Sequence, residues 1–216
     1  MKISKRLNTI ADMINPSSRV IDVGCDHGLL SIYLDLEKNC NCLASDVNSN
    51  ALENAKSNII KYNAKRVDTL LTDGIENIDI SDDDIIVIAG MGTSTIKHIL
   101  EDKKLSNTLI ISSNNQLYEL RKYIISLGYK IEDEKYVLDH QKHYVIIKFI
   151  KGNCKYSKLD LQYGPIVKKD NEYLLYELNK QVNIKNRITN SSFIVKFKNK
   201  REINKLKKLL KKLEEN

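Results

Sequence analysis

Short apolar runs fall at 19–23 (RVIDV), 42–46 (CLASD), 67–71 (VDTLL), 85–89 (IIVIA) and 108–112 (TLIIS), and helix-like segments lie between them. Apolar residues recur at helical spacing in 3–14 (Ile3, Leu7, Ile10, Ala11, Ile14), in 50–62 (Ala51, Leu52, Ala55, Ile59) and in 116–127 (Leu117, Leu120, Ile124, Leu127). Strands that are apolar throughout must be covered on both faces, and parallel neighbours need a crossover. The alternation therefore predicts an open α/β sheet with helices on both sides. Asn15-Pro16-Ser17-Ser18 ends the first helix. After Gly128, "YKIEDEKYVLD" and "HYVIIKFI" follow each other with no helix between them. They predict an antiparallel pair at the edge of the sheet.

The pattern changes after Lys151. "KGNCKYSKLDLQYGPIV" reads as a polar, turn-rich linker. Residues 170–190 and 200–213 read as helices, with "SSFIVKFKN" between them. Leu174, Leu178 and Val182 form one narrow seam; Ile203, Leu206, Leu210 and Leu213 form the other. Such seams predict an antiparallel coiled-coil hairpin. The division expected is thus 1–150 and 151–216. Residues 151–216 hold 17 basic and 7 acidic residues, net +10, while residues 1–150 hold 18 and 21, net −3. That asymmetry fits a polyanionic partner, and it equally fits a lysine-rich solvated helix.

No run of eighteen apolar residues is present, and Met1-Lys2-Ile3-Ser4-Lys5-Arg6 leads into polar residues rather than a signal core. A cytoplasmic protein is expected. Cys25, Cys40, Cys42 and Cys154 include no C-x-x-C pair, and His140 and His143, placed on one helix face, lack companion ligands. No metal is expected.

In open α/β sheets, ligands lie beyond the carboxyl ends of the strands. Each strand here ends in small or acidic groups. Asp22, Gly24, Asp26, His27 and Gly28 follow the first, Asp46 ends the second, and Asp73-Gly74 follow the third. Gly90-Met91-Gly92 follow the fourth, and Ser112-Ser113-Asn114 the fifth. A glycine turn admits a ligand close to the backbone, an acid after the second strand can accept from ribose hydroxyls, and Asp73 can accept from an adenine amino group. Bland readings stand beside these. Asp22 fits a capping acid, Asp46 an N-cap in competition with Ser49 and Asn50, and Asp73-Gly74 an ordinary turn. His27 fits a polar surface residue. Asp79, Asp82, Asp83 and Asp84 read as a solvated loop. Taken together, the strand ends fit one adenosine-containing ligand. The turn lacks the G-x-G-x-x-G of a pyrophosphate site. An acidic glycine turn suits the ammonium and sulfonium of S-adenosylmethionine better than it suits NAD, so a class I methyltransferase is the expectation. A methyltransferase for another RNA, protein or small molecule, a catalytically silent nucleic-acid binder and a nicotinamide oxidoreductase remain open alternatives.

"ISKRLNTIADMI", "DVGCDHGLLSIYL", "TDG", "IAGMGTSTIKHIL" and "YGP" occur in order at fitting distances. Together they resemble the bacterial tRNA (adenine-22-N1)-methyltransferases. The resemblance implies a Rossmann-like domain with a C-terminal coiled coil, and methyl transfer to N1 of an adenine in the tRNA D-arm. It carries cofactor-binding roles onto Asp22, Gly24, Asp26, His27, Asp46, Asp73, Gly74, Gly90, Met91 and Gly92. Asp26, with Asn114 orienting the base, is the candidate catalytic acceptor; a grip on the cofactor's ammonium is the competing role for Asp26. Lys196, Lys198, Lys200 and Arg201 are candidate contacts to tRNA phosphates. A monomer is favoured. Two departures stand out: Ser112-Ser113 replace the family's Gln-Pro, and Thr93 replaces its second glycine after A-G-M-G.

Overall fold

The computed structural model describes residues 1–188 and 192–215. The chain divides into two units, Met1–Ser157 and Lys158–Asn216. The first contains α1 (Lys5–Asp12), β1 (Arg19–Val23), α2 (Leu29–Lys38), β2 (Asn41–Asp46), α3 (Ser49–Tyr62) and β3 (Val67–Leu71). There follow β4 (Ile85–Met91), α4 (Thr93–Leu100), β5 (Thr108–Ser113), α5 (Leu117–Ser126), β6 (Tyr129–Asp139) and β7 (Lys142–Lys151). One seven-stranded sheet runs in the order β3-β2-β1-β4-β5-β7-β6. Strands β1 to β5 are parallel; β7 pairs antiparallel with β5 and β6, which places the expected hairpin at the edge.

The middle of the sheet is dry. Val20, Ile21, Ile86, Val87, Ile88, Leu109, Ile110 and Ile111 are almost wholly buried. Each such side chain contributes roughly 1.5–3 kcal/mol. β1 lies between β2 and β4, so strand order reverses beside it and a crevice opens at its carboxyl end. Helix α1 starts at Lys5 rather than residue 3 because Ser4 caps it, its Oγ accepting from Leu7 N. Asp139 Oδ2 accepts from Arg6 N at 3.2 Å and fixes that first turn against β6. Between α5 and β6, Arg121 Nε donates to Glu134 Oε1 at 2.8 Å, with both side chains fully buried.

Two expectations are corrected in this unit. Asp84 is not part of a solvated loop: it is 2% exposed, pairs with Arg19, and accepts from Ser81 N at 2.9 Å. Arg19 opens the adjacent strand, so the pair ties the amino ends of β1 and β4. His140 and His143 share no helix face: His140 sits in the turn between β6 and β7, and His143 lies on β7. The strand signal in "HYVIIKFI" extends through His143, and that overrides any helical spacing.

The second unit contains α6 (Lys158–Tyr163), a 3₁₀ turn at Val167–Lys169, α7 (Asn171–Arg187) and α8 (Phe193–Glu214). Asp170 caps α7 by accepting from Tyr173 N at 2.9 Å. The segment "SSFIVKFKN" is not a connection over its length. From Phe193 onward it is helix, since no glycine or proline interrupts it; residue 191, and 189–190 of the preceding helix expectation, lie outside the described residues. The expected linker is also partly ordered. Tyr163 in α6 is buried, and its hydroxyl donates to Glu202 Oε2 at 2.6 Å. Of the two expected seams, Leu174, Ile203 and Leu206 are buried, Leu178, Leu210 and Leu213 are half-buried, and Val182 is exposed. Asn199 Nδ2 donates to Gln181, reaching its backbone and side-chain oxygens at 3.0 Å each.

Candidate functional site

The turn after β1 is folded back over β2. Gly24 N and Cys25 N both donate to Ser45 O, at 2.8 and 3.0 Å. Gly24 has φ +74°, and a Cβ there would stand 2.1 Å from Met91 Cε. The positive φ favours glycine, and any side chain there would have to displace the Met91 methyl, so the glycine turn and the A-G-M-G segment are in contact. Asp26 N donates to Asp46 Oδ2 at 3.1 Å, which joins the turn to the end of β2. The other oxygen, Oδ1, accepts from Asn48 N at 2.9 Å. Asp46 is therefore not the N-cap of α3. Asn48 caps it instead, accepting from Asn50 N.

Asp22 is not a helix cap either. It is 5% exposed, inside β1, and accepts from Ser31 Oγ at 2.8 Å. Burial pushes its carboxyl up to about 6; the Ser31 hydroxyl and the Arg6 charge oppose that shift, and the Asp46 charge adds to it. A buried carboxylate with so little compensation at the carboxyl end of a sheet strand is a functional-site candidate. Asp26 and His27 are mostly exposed, with Asp26 Oδ1 and His27 Nε2 3.7 Å apart.

At β3, Thr72 N donates to Asp46 O at 3.0 Å, so the segment leading to Asp73 adjoins Asp46. Asp73 O accepts from Glu76 N, which makes the turn real, while the Asp73 carboxylate is left exposed. Gly74 packs on Ile99 of α4. At β4 the register shifts between Ala89 and Met91, and Gly90 takes φ +87°. Asn114 Nδ2 donates to Gly90 O at 2.7 Å, and Asn114 N to Met91 O at 2.9 Å. Thr93, where the family has a glycine, is buried. Its Oγ1 meets Ser113 Oγ at 2.9 Å and Asn115 O at 2.7 Å, and its N donates to Asn115 Oδ1. These bonds fasten the loop after β5 without the proline the family has there. Ser112 Oγ is buried and has no partner among the described residues.

The structure thus brings Asp22, Gly24, Asp26, Asp46, Gly90, Met91, Gly92 and Asn114 to one edge. Asp73 and Gly74 adjoin it through Thr72 and α4. Lys196, Lys198, Lys200 and Arg201 are exposed on α8, in the second unit. Sequence reasoning missed Arg6 and Val47. The Arg6 guanidinium lies over Gly90, where a Cβ would be 3.1 Å from Nη1, and over the Tyr144 ring, 5.0 Å from its centroid. Its signal was the S-K-R-L start, used only to mark the family. Val47, next to Asp46, is 69% exposed, an apolar side chain bare at the carboxyl edge. Among the described residues no cluster of His, Cys, Asp and Glu could hold a metal ion, and no helix is long and apolar enough to cross a membrane.

A methyltransferase-domain family model matches residues 3–147. The tRNA (adenine(22)-N1)-methyltransferase of Bacillus subtilis is 30% identical over 175 residues, 77% of this chain and 74% of that protein. A putative tRNA methyltransferase of Mycoplasma genitalium is 32% identical over 173 residues, 76% and 78% of the two chains. Among solved structures, M. capricolum TrmK in complex with S-adenosylhomocysteine superposes with a TM-score of 0.83 at 29% identity, over 98% of this chain and 99% of that one. These likenesses agree with the sheet order and with the acidic glycine turn, and the chain belongs to the tRNA (adenine(22)-N1)-methyltransferase family.

Proposed function

We propose that this chain transfers the methyl group of S-adenosylmethionine to N1 of adenine 22 in the D-arm of tRNA, acting as a cytoplasmic monomer. The observation that carries the reading is the acid-rimmed turn at Gly24, sealed by Met91, together with a likeness to M. capricolum TrmK that runs along nearly the whole chain. The residues present fit the cofactor. Backbone at Gly24 admits it closely, Asp22 is a buried acceptor for an ammonium, and Asp46 is placed to accept from ribose hydroxyls. Val47 offers an apolar face to the adenine, and Asp73 an acceptor for its amino group. When bound, the cofactor supplies an electrophilic methyl on a cationic sulfur.

Adenine N1 has a free lone pair, so the protein needs no strong base; orientation carries the rate. Asp26 has its backbone tied to Asp46 and its carboxylate exposed, φ +52°. It can accept from the N6 amino group as positive charge develops on the ring. Asn114 keeps its amide nitrogen on Gly90 O, and its exposed Oδ1 faces no partner among the described residues, which leaves an acceptor for the base. The target adenine must leave its stack to arrive there, at a cost of a few kcal/mol.

Two helices with partly buried apolar seams and exposed lysines support a coiled-coil hairpin that binds tRNA phosphates. Lys158–Asn216 holds 15 basic and 7 acidic residues. Removal of 158–216 is expected to weaken tRNA binding at least tenfold and to flatten its salt dependence, with cofactor affinity unchanged, as read by filter binding and calorimetry. Asp26→Asn is expected to lower turnover about 100-fold with cofactor affinity near normal; loss of cofactor binding instead would assign Asp26 to the ammonium. The decisive experiment is mass spectrometry of nucleosides after incubation with total tRNA and labelled cofactor. The expected product is 1-methyladenosine, absent from transcripts that carry guanosine at position 22. Methyl label in another RNA or in protein would replace this reading.

A further inference from the structure

Helix α8 begins on an uncovered apolar turn. Phe193 is 81% exposed and Phe197 57%, and Ile194 and Val195 between them are open to solvent as well. The two phenyl rings lie 6.3 Å apart and 23° from parallel, so they form one continuous aromatic surface. Steps of three or four residues keep to one face of a helix. Continued from Phe193 and Phe197, those steps reach Lys200, Arg201 and Lys208, all exposed. The buried positions of α8, Asn199, Ile203 and Leu206, fall on the opposite face. Glu202, the one acid of α8 before Glu214, is engaged away from the stripe, accepting from Tyr163 Oη and Lys205 Nζ at 2.6 Å each. The outer stripe is therefore an aromatic pair followed by cations. A bare apolar patch of this kind marks a contact surface, and its charge selects the occupant. A second copy of the chain would set cations against cations. A helix lying on lipid puts aromatic and cationic residues on opposite flanks, whereas here they share one. A phosphate chain with unpaired bases matches both halves, since phosphates meet the cations and an open base face covers a ring. A duplex offers the phosphates without the open faces.

We infer that Phe193 and Phe197 stack on unpaired bases of the bound RNA, with Lys200, Arg201 and Lys208 on the adjoining phosphates, so that the start of α8 selects looped over duplex RNA. This inference rests on the proposed action on tRNA and adds to it a choice between loop and stem. Stacking of this sort is tolerant of sequence, because every base has a π-face. The shape of the RNA is what this end of the helix recognises.

The chain contains no tryptophan, so Phe193→Trp installs a single fluorescent reporter. Its emission should be quenched by total tRNA and by single-stranded oligouridylate, and not by a blunt RNA duplex of equal length. Filter binding on the full chain would then compare wild type with two double variants, Phe193→Leu with Phe197→Leu and Phe193→Tyr with Phe197→Tyr, after circular dichroism has established that each keeps its helices. The leucines retain apolar bulk and remove the rings. They should weaken tRNA binding about 30-fold, while the tyrosines stay within about threefold of wild type. Duplex affinity, the salt dependence and S-adenosylhomocysteine affinity should not move in either. Leucine variants that bind tRNA as wild type does, or that lose duplex and loop equally, would overturn the inference. Sedimentation showing a dimer of the RNA-free chain that Phe197→Lys dissociates would give the surface to a second copy and overturn it too. So would reporter emission that shifts to the blue with phosphatidylglycerol vesicles and ignores RNA. Failure of wild type to bind tRNA at all would instead remove the proposed substrate, and this inference with it.

Discussion

At the amino end of the sheet, Asp84 is matched on every side: Arg19 and Ser81 N meet its carboxylate, and Asn107 Nδ2 donates to its carbonyl at 3.0 Å. At the carboxyl end, Asp22 is nearly as buried yet has one hydroxyl donor, and its proton is held up to about pH 6. Asp26 and Asp73 next to it keep exposed carboxylates. Both edges use aspartates beside apolar strands. One edge satisfies them and gains stability, while the other leaves hydrogen-bonding capacity unspent for a ligand.

This contrast can be broken at either edge. Gly24→Val should have the largest effect on binding. It forces a side chain into the space of the Met91 methyl at a positive φ, and S-adenosylhomocysteine affinity should fall about 100-fold, near 2.7 kcal/mol. Isothermal calorimetry reads this directly, and a variant that binds normally would remove the turn from the site. Asp84→Ala should act in the opposite sense. Urea unfolding should show a loss of about 2 kcal/mol from the unpaired groups left behind, with cofactor affinity intact. Weakened cofactor binding in that variant would erase the distinction between the edges.

Asp22→Asn should give the smallest and most telling change. A carboxyl raised in the folded state costs stability only when ionised, that is, as pH rises through about 6. At pH 7.5 the asparagine should therefore raise the melting temperature by a few degrees, and this gain should vanish below about pH 4. Cofactor affinity should fall about tenfold at pH 7.5. In wild type that affinity should itself decline as pH drops below about 6, because the protonated acid no longer attracts an ammonium. A pH-independent affinity would take Asp22 out of the ammonium's reach.

Much of this was legible in the sequence. Apolar strands and their small or acidic ends foretold the parallel sheet and the residues that gather at its carboxyl edge, since both follow from local pattern. Asp84 was misread because its partner Arg19 is distant in the chain, and an acidic run looks solvated until a cation is brought to it. Arg6 was missed for the same reason: only tertiary folding lays helix α1 across Gly90 and Tyr144. The start of α8 was misplaced because Phe193-Ile194-Val195 has a strand-like composition, and the helix overrode it.

The contact between Met91 and Gly24 carries a further consequence for how such chains can change. A larger residue at 24 must displace the flexible end of Met91 and also adopt a positive φ, so the two positions are sterically linked. The two positions should drift as a linked couple across relatives, and a Met91→Ala background should rescue part of what a bulky residue at 24 destroys.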